Sequence, residues 1–199
     1  KKNKVNLITG LEFKLDSSGT KMASILNKWN IENLYLMFAG GWLTEYIKSE
    51  LKDNNINYNL VSIKDSTPMK ICLSGENTTI FAEKLPKITQ EEFEDFYANF
   101  TSLLNFTNYV LLPNREATNL DDRMVSNILS LAQSHQKPVY SVGDSYSTKE
   151  IVDLGFKGLF LSKEYLSKLE DQGAIDNSVD VYTALRVFDL DELDFAAIP

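Results

Sequence analysis

The chain has 199 residues, 43% of them apolar and 24% charged, a balance that supports one packed core and excludes a disordered or membrane-embedded polypeptide. Its formal charge of -8 is spread along the sequence without a basic stripe, which excludes nucleic acid and anionic membrane as expected partners. A single cysteine, Cys72, and a single histidine, His135, can form neither an internal disulfide nor a Cys/His metal site, so a reducing, cytoplasmic setting is expected.

Lys1, Lys2 and Lys4 precede an apolar stretch too short for a signal-peptide core or a membrane span, and Val5 to Thr9 reads as a first strand. Ser17 or Ser18 then caps a helix in which Met22, Ile25, Leu26 and Trp29 recur at helical spacing. Leu34 to Phe38 reads as a buried strand. After Gly40 and Gly41 a second helix carries Trp42, Leu43, Tyr46, Ile47 and Leu51 in one stripe, with Glu45, Lys48 and Glu50 on the wet face, and ends near Asn54 and Asn55.

Tyr58 to Ile63, Met69 to Leu73 and Thr78 to Ala82 are short and rich in β-branched or aromatic residues, which predicts an antiparallel meander with a hairpin turn at residues 74–77. The run Thr89-Gln90-Glu91-Glu92 is a capping pattern leading into a helix with Phe93, Phe96, Tyr97, Phe100 and Leu104 along one side. That aromatic stripe reads as core.

The alternation then repeats: strand at Tyr109 to Leu112, helix at Leu120 to Ser134, strand at Pro138 to Val142, short helix at Thr148 to Asp153, strand at Leu159 to Leu161, helix at Ser162 to Glu170. Right-handed crossovers would make these strands parallel. Val179 to Leu190 is read as a final strand and Asp189 to Asp194 as an acidic tail. His135 takes a C-capping place, and Ser145, His135 and Asp144 do not read as a triad, because no G-x-S-x-G elbow surrounds the serine.

Three stretches within roughly residues 16 to 170 resemble the PfkB family of sugar and sugar-phosphate kinases, in its 1-phosphofructokinase and tagatose-6-phosphate kinase branch. The strongest is Phe38-Ala39-Gly40-Gly41-Trp42-Leu43-Thr44-Glu45-Tyr46-Ile47, similar to the family's strand followed by G-G-F-T-G-E-F-I. The second joins Thr67-Pro68-Met69-Lys70-Ile71, Thr78-Thr79-Ile80-Phe81 and Pro86-Lys87-Ile88-Thr89, similar to T-R-x-N-I, T-E-I-N and P-x-I-S. The third, Asp16 to Leu26, resembles G-G-K-G-x-N-V-A-R-x-L, with Gly19, Ala23 and Leu26 matching outright.

The resemblance implies a ribokinase-like α/β fold of three α/β/α layers with a mostly parallel central sheet, in one domain over residues 1–199. It implies an anionic sugar held near Gly19, Lys21, Gly40, Gly41 and Lys70. Paired glycines let backbone approach a sugar closely, and a following helix N-terminus favours an anion.

Several family positions are changed. Lys21 stands where the family has a substrate-reading Asn, Ser18 where it has Lys, Pro68 where it has Arg, and Phe160 and Ser162 replace a Lys and Asn at the nucleotide site. Leu11 to Asp16 leaves no room for the family's lid insertion, and no counterpart of G-A-G-D, whose Asp is the family's base, follows. The expectation is a shortened, degenerate homologue lacking the lid sheet and the nucleotide-binding part, with weak or no phosphotransfer and no assigned catalytic residue. ATP and Mg²⁺ are expected only if kinase activity is retained. The alternative is a noncatalytic regulatory module that docks a protein partner or a second copy of itself.

Overall fold

The computed structural model describes residues 10, 12–73, 78–113, 120–142, 155–160 and 195–197. The first helix, α1 (Ser18–Lys28), starts at a capping box: the Thr20 amide donates to Ser17 Oγ at 3.1 Å and the Ser17 amide donates to Thr20 Oγ1 at 3.2 Å. Its inward residues are Thr20 and Ala23, while Ile25 and the C-cap Trp29 are exposed. The expected apolar stripe is therefore turned away from its predicted register. Small residues face the sheet because α1 lies close against it, with no space for a Cβ between Gly19 and the ring of Tyr35.

Strand β1 (Tyr35–Ala39) leads through Gly40 and Gly41 into α2 (Thr44–Asp53), which buries Ile47 and Leu51. Trp42, expected on that buried stripe, is 69% exposed. It stands in the turn before the helix, so helical spacing does not direct it inward. The helix ends at Asn54, and Asn55 adopts a positive φ of 54°, as the asparagine pair predicts.

Strand β2 (Tyr58–Ser62) corrects the expected meander: it runs parallel to β1, in register from Tyr35 opposite Tyr58 to Ala39 opposite Ser62. The intervening α2 supplies the crossover that parallel pairing requires. Among the described residues only β3 (Lys70–Leu73) and β4 (Thr79–Ala82) pair antiparallel, flanking the predicted turn at 74–77, which lies outside them. This hairpin is a sheet of its own, exposed along both strands, and its base is closed where the Met69 amide donates to Glu83 Oε2 at 2.8 Å. From Gly10 to Ser17 the described residues form no strand.

Helix α3 (Gln90–Leu104) begins at the predicted capping box of Thr89 and Glu92 and buries Phe93, Phe96, Phe100 and Leu104. After it come β5 (Val110–Pro113), α4 (Asp122–Ser134), β6 (Val139–Val142), β7 (Gly158–Phe160) and β8 (Phe195–Ala197). These four strands pair in chain order, all parallel. The predicted strand at Val5 to Thr9, helices at 148–153 and 162–170, final strand at 179–190 and acidic tail at 189–194 lie outside the described residues. The last described strand, β8, follows that acidic run.

The side-chain period of two along β1 sorts the core into two faces. Tyr35 and Met37 pack against the cluster of Ala23, Leu43, Ile47, Leu51 and Ile56, supplied mainly by α1 and α2. Leu36 and Phe38 pack against the cluster of Phe93, Phe96, Phe100, Leu104 and the α4 residues. Phe38 stacks on Phe96 with ring centroids 4.8 Å apart. On β2, Tyr58 and Leu60 face the first cluster and Val61 the second. A sheet with helices on both faces follows, which is the layered α/β architecture expected from the sequence.

Candidate functional site

Ligands of open α/β sheets bind beyond the carboxyl ends of the strands, so the turn after β1 and the start of α1 are where a site is sought. At the turn, Gly40 is enclosed by protein. Its amide donates to Thr67 Oγ1 at 3.0 Å and its carbonyl accepts from the Thr67 amide at 2.9 Å. A Cβ there would fall on the carbonyl oxygens of Ile63 and Asp65. Gly41 has φ +72°, and a Cβ would meet the Ser66 side chain.

The close approach that the glycine pair permits in this structure is thus to residues 63–67 of the same chain. Asp65 is itself engaged, its Oδ2 accepting from the Lys87 amide at 3.0 Å. Helix α2 has no side-chain cap at Leu43, and Thr44 Oγ1 turns back to the Gly41 carbonyl at 2.9 Å.

At the start of α1, Ser17 Oγ lies 3.2 Å from the Tyr35 hydroxyl, tying the helix entry to β1. Burial pushes the Tyr35 phenol up, and the Ser17 hydrogen bond partly offsets it. Lys21 projects from the first turn and pairs with Asp16 at 2.5 Å, both side chains being largely exposed. Lys70, the first residue of β3, takes part in no ion pair among the described residues.

One open cleft of about 2330 Å³ runs from the start of α1 past β1 to the β3–β4 hairpin. Gly19, Lys21 and Lys70 all line it, together with Asp16, Tyr35 and Cys72. Gly40 and Gly41 do not. Three of the five sequence-predicted residues thus line this extended cleft, which also reaches α3 and β5, while Gly40 and Gly41 pack on the loop after β2.

Sequence reasoning placed Asp16 and Thr67 in the family-like motifs but did not foresee their contacts with Lys21 and Gly40, and it did not single out Ser66. A signal for Asp16 was available: it immediately precedes the cap Ser17 and lies five residues before Lys21, a spacing at which side chains meet across a helix start. No local pattern announces the contact of Thr67 with Gly40, which depends on how β2 returns beside β1.

Among the described residues no group of three or more His, Cys, Asp or Glu side chains is gathered as for a metal ion. Of the two positions that the resemblance aligns with nucleotide contacts, Phe160 ends β7 and Ser162 lies outside the described residues. No helix among the described residues is long and apolar enough to cross a membrane.

No protein-family model matches the chain. A 1-phosphofructokinase of Bacillus subtilis (strain 168) is 28% identical to it over 85 residues, which are 43% of this chain and 28% of that protein. Phosphofructokinase-2 from Escherichia coli, in its tetrameric inhibited form, superimposes with a TM-score of 0.71 at 17% identity, over 92% of this chain and 62% of the other. The same enzyme in complex with fructose-6-phosphate gives 0.70 at 15% identity, over 90% and 60%. A carbohydrate kinase from Agrobacterium tumefaciens gives 0.62 at 14% identity, over 91% and 58%.

The fold is therefore that of the ribokinase-like carbohydrate kinases. Within that class the chain resembles the PfkB-family phosphofructokinases in both sequence and structure, as the three motifs predicted. It spans less than two thirds of the length of each of these relatives.

Proposed function

We propose that the chain is a PfkB-like sugar-phosphate kinase homologue of the 1-phosphofructokinase or tagatose-6-phosphate kinase type, in one domain over residues 1–199, with weak or no phosphotransfer. The observation that supports this reading is the phosphofructokinase-like fold together with the Gly40-Gly41 turn that joins β1 to α2. The start of α1 and the Lys70 ammonium group, which takes part in no ion pair among the described residues, suit an anionic sugar, whereas Lys21 is paired with Asp16. Gly40 and Gly41 close on residues 63–67, the loop that leads to Lys70.

Reduced chemistry is supported by the changed positions: Lys21 in place of an amide, Pro68 in place of Arg, and Phe160 in place of Lys. An amide reads hydroxyls as both donor and acceptor, which an ammonium group cannot do. ATP and Mg²⁺ would be required only if transfer is retained, and a cytoplasmic setting suits a sugar-phosphate ligand.

Isothermal titration with fructose 1-phosphate, fructose 6-phosphate and tagatose 6-phosphate tests the binding half. Saturable heat with at least one of them is expected, and absence of heat with all three removes the proposal. A coupled assay with ATP and Mg²⁺ tests the chemical half, where turnover at ordinary kinase rates, about 1–100 per second, would overturn the claim of weakened transfer.

The second reading, a noncatalytic module that docks a protein or a second copy, is favoured by the hairpin, where Ile71, Leu73, Ile80 and Phe81 are 44–60% exposed. Light scattering on the purified chain separates it from the first, since a monomer at every concentration counts against self-association.

A further inference from the structure

After β2 the chain leaves the body of the molecule at Lys64 and Asp65, and it comes back at Lys87, just before the cap of α3. Between these points it is drawn out into the β3–β4 hairpin, both strands of which are exposed along their length. A two-stranded hairpin with no buried face is marginal by itself. Its attachment to the body therefore rests on the neck.

Three hydrogen bonds of one kind cross that neck, each from a backbone amide on one limb to a carboxylate on the other. The Lys64 amide donates to Glu92 Oε1 at 2.6 Å, the Lys87 amide to Asp65 Oδ2 at 3.0 Å and the Met69 amide to Glu83 Oε2 at 2.8 Å. The Glu83 amide also donates to the Met69 carbonyl at 3.1 Å, which makes this the last rung before the strands. The outgoing limb has a further hold, since Thr67 exchanges hydrogen bonds with Gly40. The returning limb, from Glu83 to Lys87, is joined to the outgoing one through Glu83 and Asp65.

An ionised carboxylate offers acceptors alone, whereas a protonated one carries a donor and accepts more weakly. The cations on the two limbs are Lys64, Lys84 and Lys87, with Lys70 at the start of β3, and Glu91 is a further carboxylate beside the α3 cap. Among the described residues one ion pair is made here, between Lys64 Nζ and Glu91 Oε2 at 3.4 Å. Asp65 and Glu83 take part in none, so the loss of their charge is felt through the amides they accept from. The Thr89 and Lys64 amides hold the Glu92 carboxyl below its ordinary range, so its rung persists further into acid than that of an unperturbed carboxylate.

We propose that Asp65 and Glu83 form an acid-released latch, with Glu92 as its root: while they are ionised the hairpin is fixed to the body, and their protonation frees β3 and β4 as a unit before the parallel strands and α3 unfold. The latch holds above the carboxylate range and is lost as pH falls through it. It does not depend on what the cleft binds.

The test uses Cys72, the single cysteine, which is exposed on β3 and takes a nitroxide label, while both tryptophans, Trp29 and Trp42, lie in the body and report on it. In a titration of the full chain from about pH 7 to about pH 3.5, across the ordinary carboxylate range, the mobile component of the label's spectrum is expected to grow before tryptophan fluorescence and far-ultraviolet dichroism change. Asp65→Asn and Glu83→Gln, whose amides are weaker acceptors that do not titrate, should each raise the mobile fraction at pH 7 by about fivefold, and the double variant should lose the pH response. Order parameters of the Thr79–Ala82 amides in the unlabelled chain are the second measurement, and they should drop below about 0.6 in acid and in the double variant. A label that stays immobile until the body melts overturns the inference, as does one already mobile at pH 7 in the unaltered chain. A pH response that survives in the double variant assigns the release to other groups and overturns it too.

Discussion

Gly40 and Gly41 are adjacent, yet different constraints keep them glycine. Gly40 faces two backbone carbonyls, of Ile63 and Asp65, which cannot swing aside as a side chain would. Gly41 has a positive φ and faces the hydroxymethyl group of Ser66, which can rotate. Gly40→Ala is therefore expected to cost about 3 kcal/mol and Gly41→Ala about 1–2 kcal/mol, measured as midpoints of urea unfolding. Equal costs would remove the distinction drawn here. Ser141 on β6 gives the opposite expectation: it is fully buried, its hydroxyl has no hydrogen-bond partner among the described residues, and Ser141→Ala should raise stability by about 1 kcal/mol in the same measurement. The glycine pair was legible in the sequence as a place of close approach, whereas its partner was not. A local pattern states that space is short but not what fills it.

At the scale of elements, α3 is tied to the loop that follows β2 by one carboxylate. Glu92 is 5% exposed and accepts from the Lys64 amide at 2.6 Å and the Thr89 amide at 2.8 Å, while the Thr89 hydroxyl donates to it at 2.9 Å. These hydrogen bonds, those of the Thr89 and Lys64 amides foremost, hold the Glu92 carboxyl below its ordinary range despite burial. A folded-state value below the unfolded one means that the ionised carboxylate stabilises the fold above the unfolded pKa of about 4.3, and that this contribution is lost as pH falls through the lower folded value. Unfolding free energies measured downward from pH 6 should therefore decline in acid, and Glu92→Gln should flatten part of that decline. Glu92→Ala removes the acceptor of two partly buried amides and is expected to cost about 1–2 kcal/mol. The capping box was legible from Thr89 to Glu92 because both partners lie within one turn. The bond from Lys64 was not, because it crosses from the end of β2, 28 residues away.

For the whole molecule, the two core clusters share a sheet, since alternate residues of β1 and β2 belong to opposite faces. Leu51 in one cluster and Leu104 in the other are both fully buried, so Leu51→Ala and Leu104→Ala should each cost about 3–5 kcal/mol. Each should also shift a single transition seen alike by tryptophan fluorescence and far-ultraviolet dichroism. A variant that melts one signal ahead of the other would show that the clusters unfold separately, against the reading of residues 1–199 as one domain. What the amino-acid sequence determined alone was the alternation of strands and helices, a serine cap for α1, the capping box of α3, the aromatic core face of α3 and the resemblance to sugar-phosphate kinases, all carried by near neighbours along the chain. Tertiary structure decided that Tyr58 to Ser62 pairs parallel with β1, that Trp42 faces outward, and that Gly40 and Gly41 close on residues 63–67. Each of these depends on which distant segment occupies a given volume, a property of the packed chain that no short window of sequence contains.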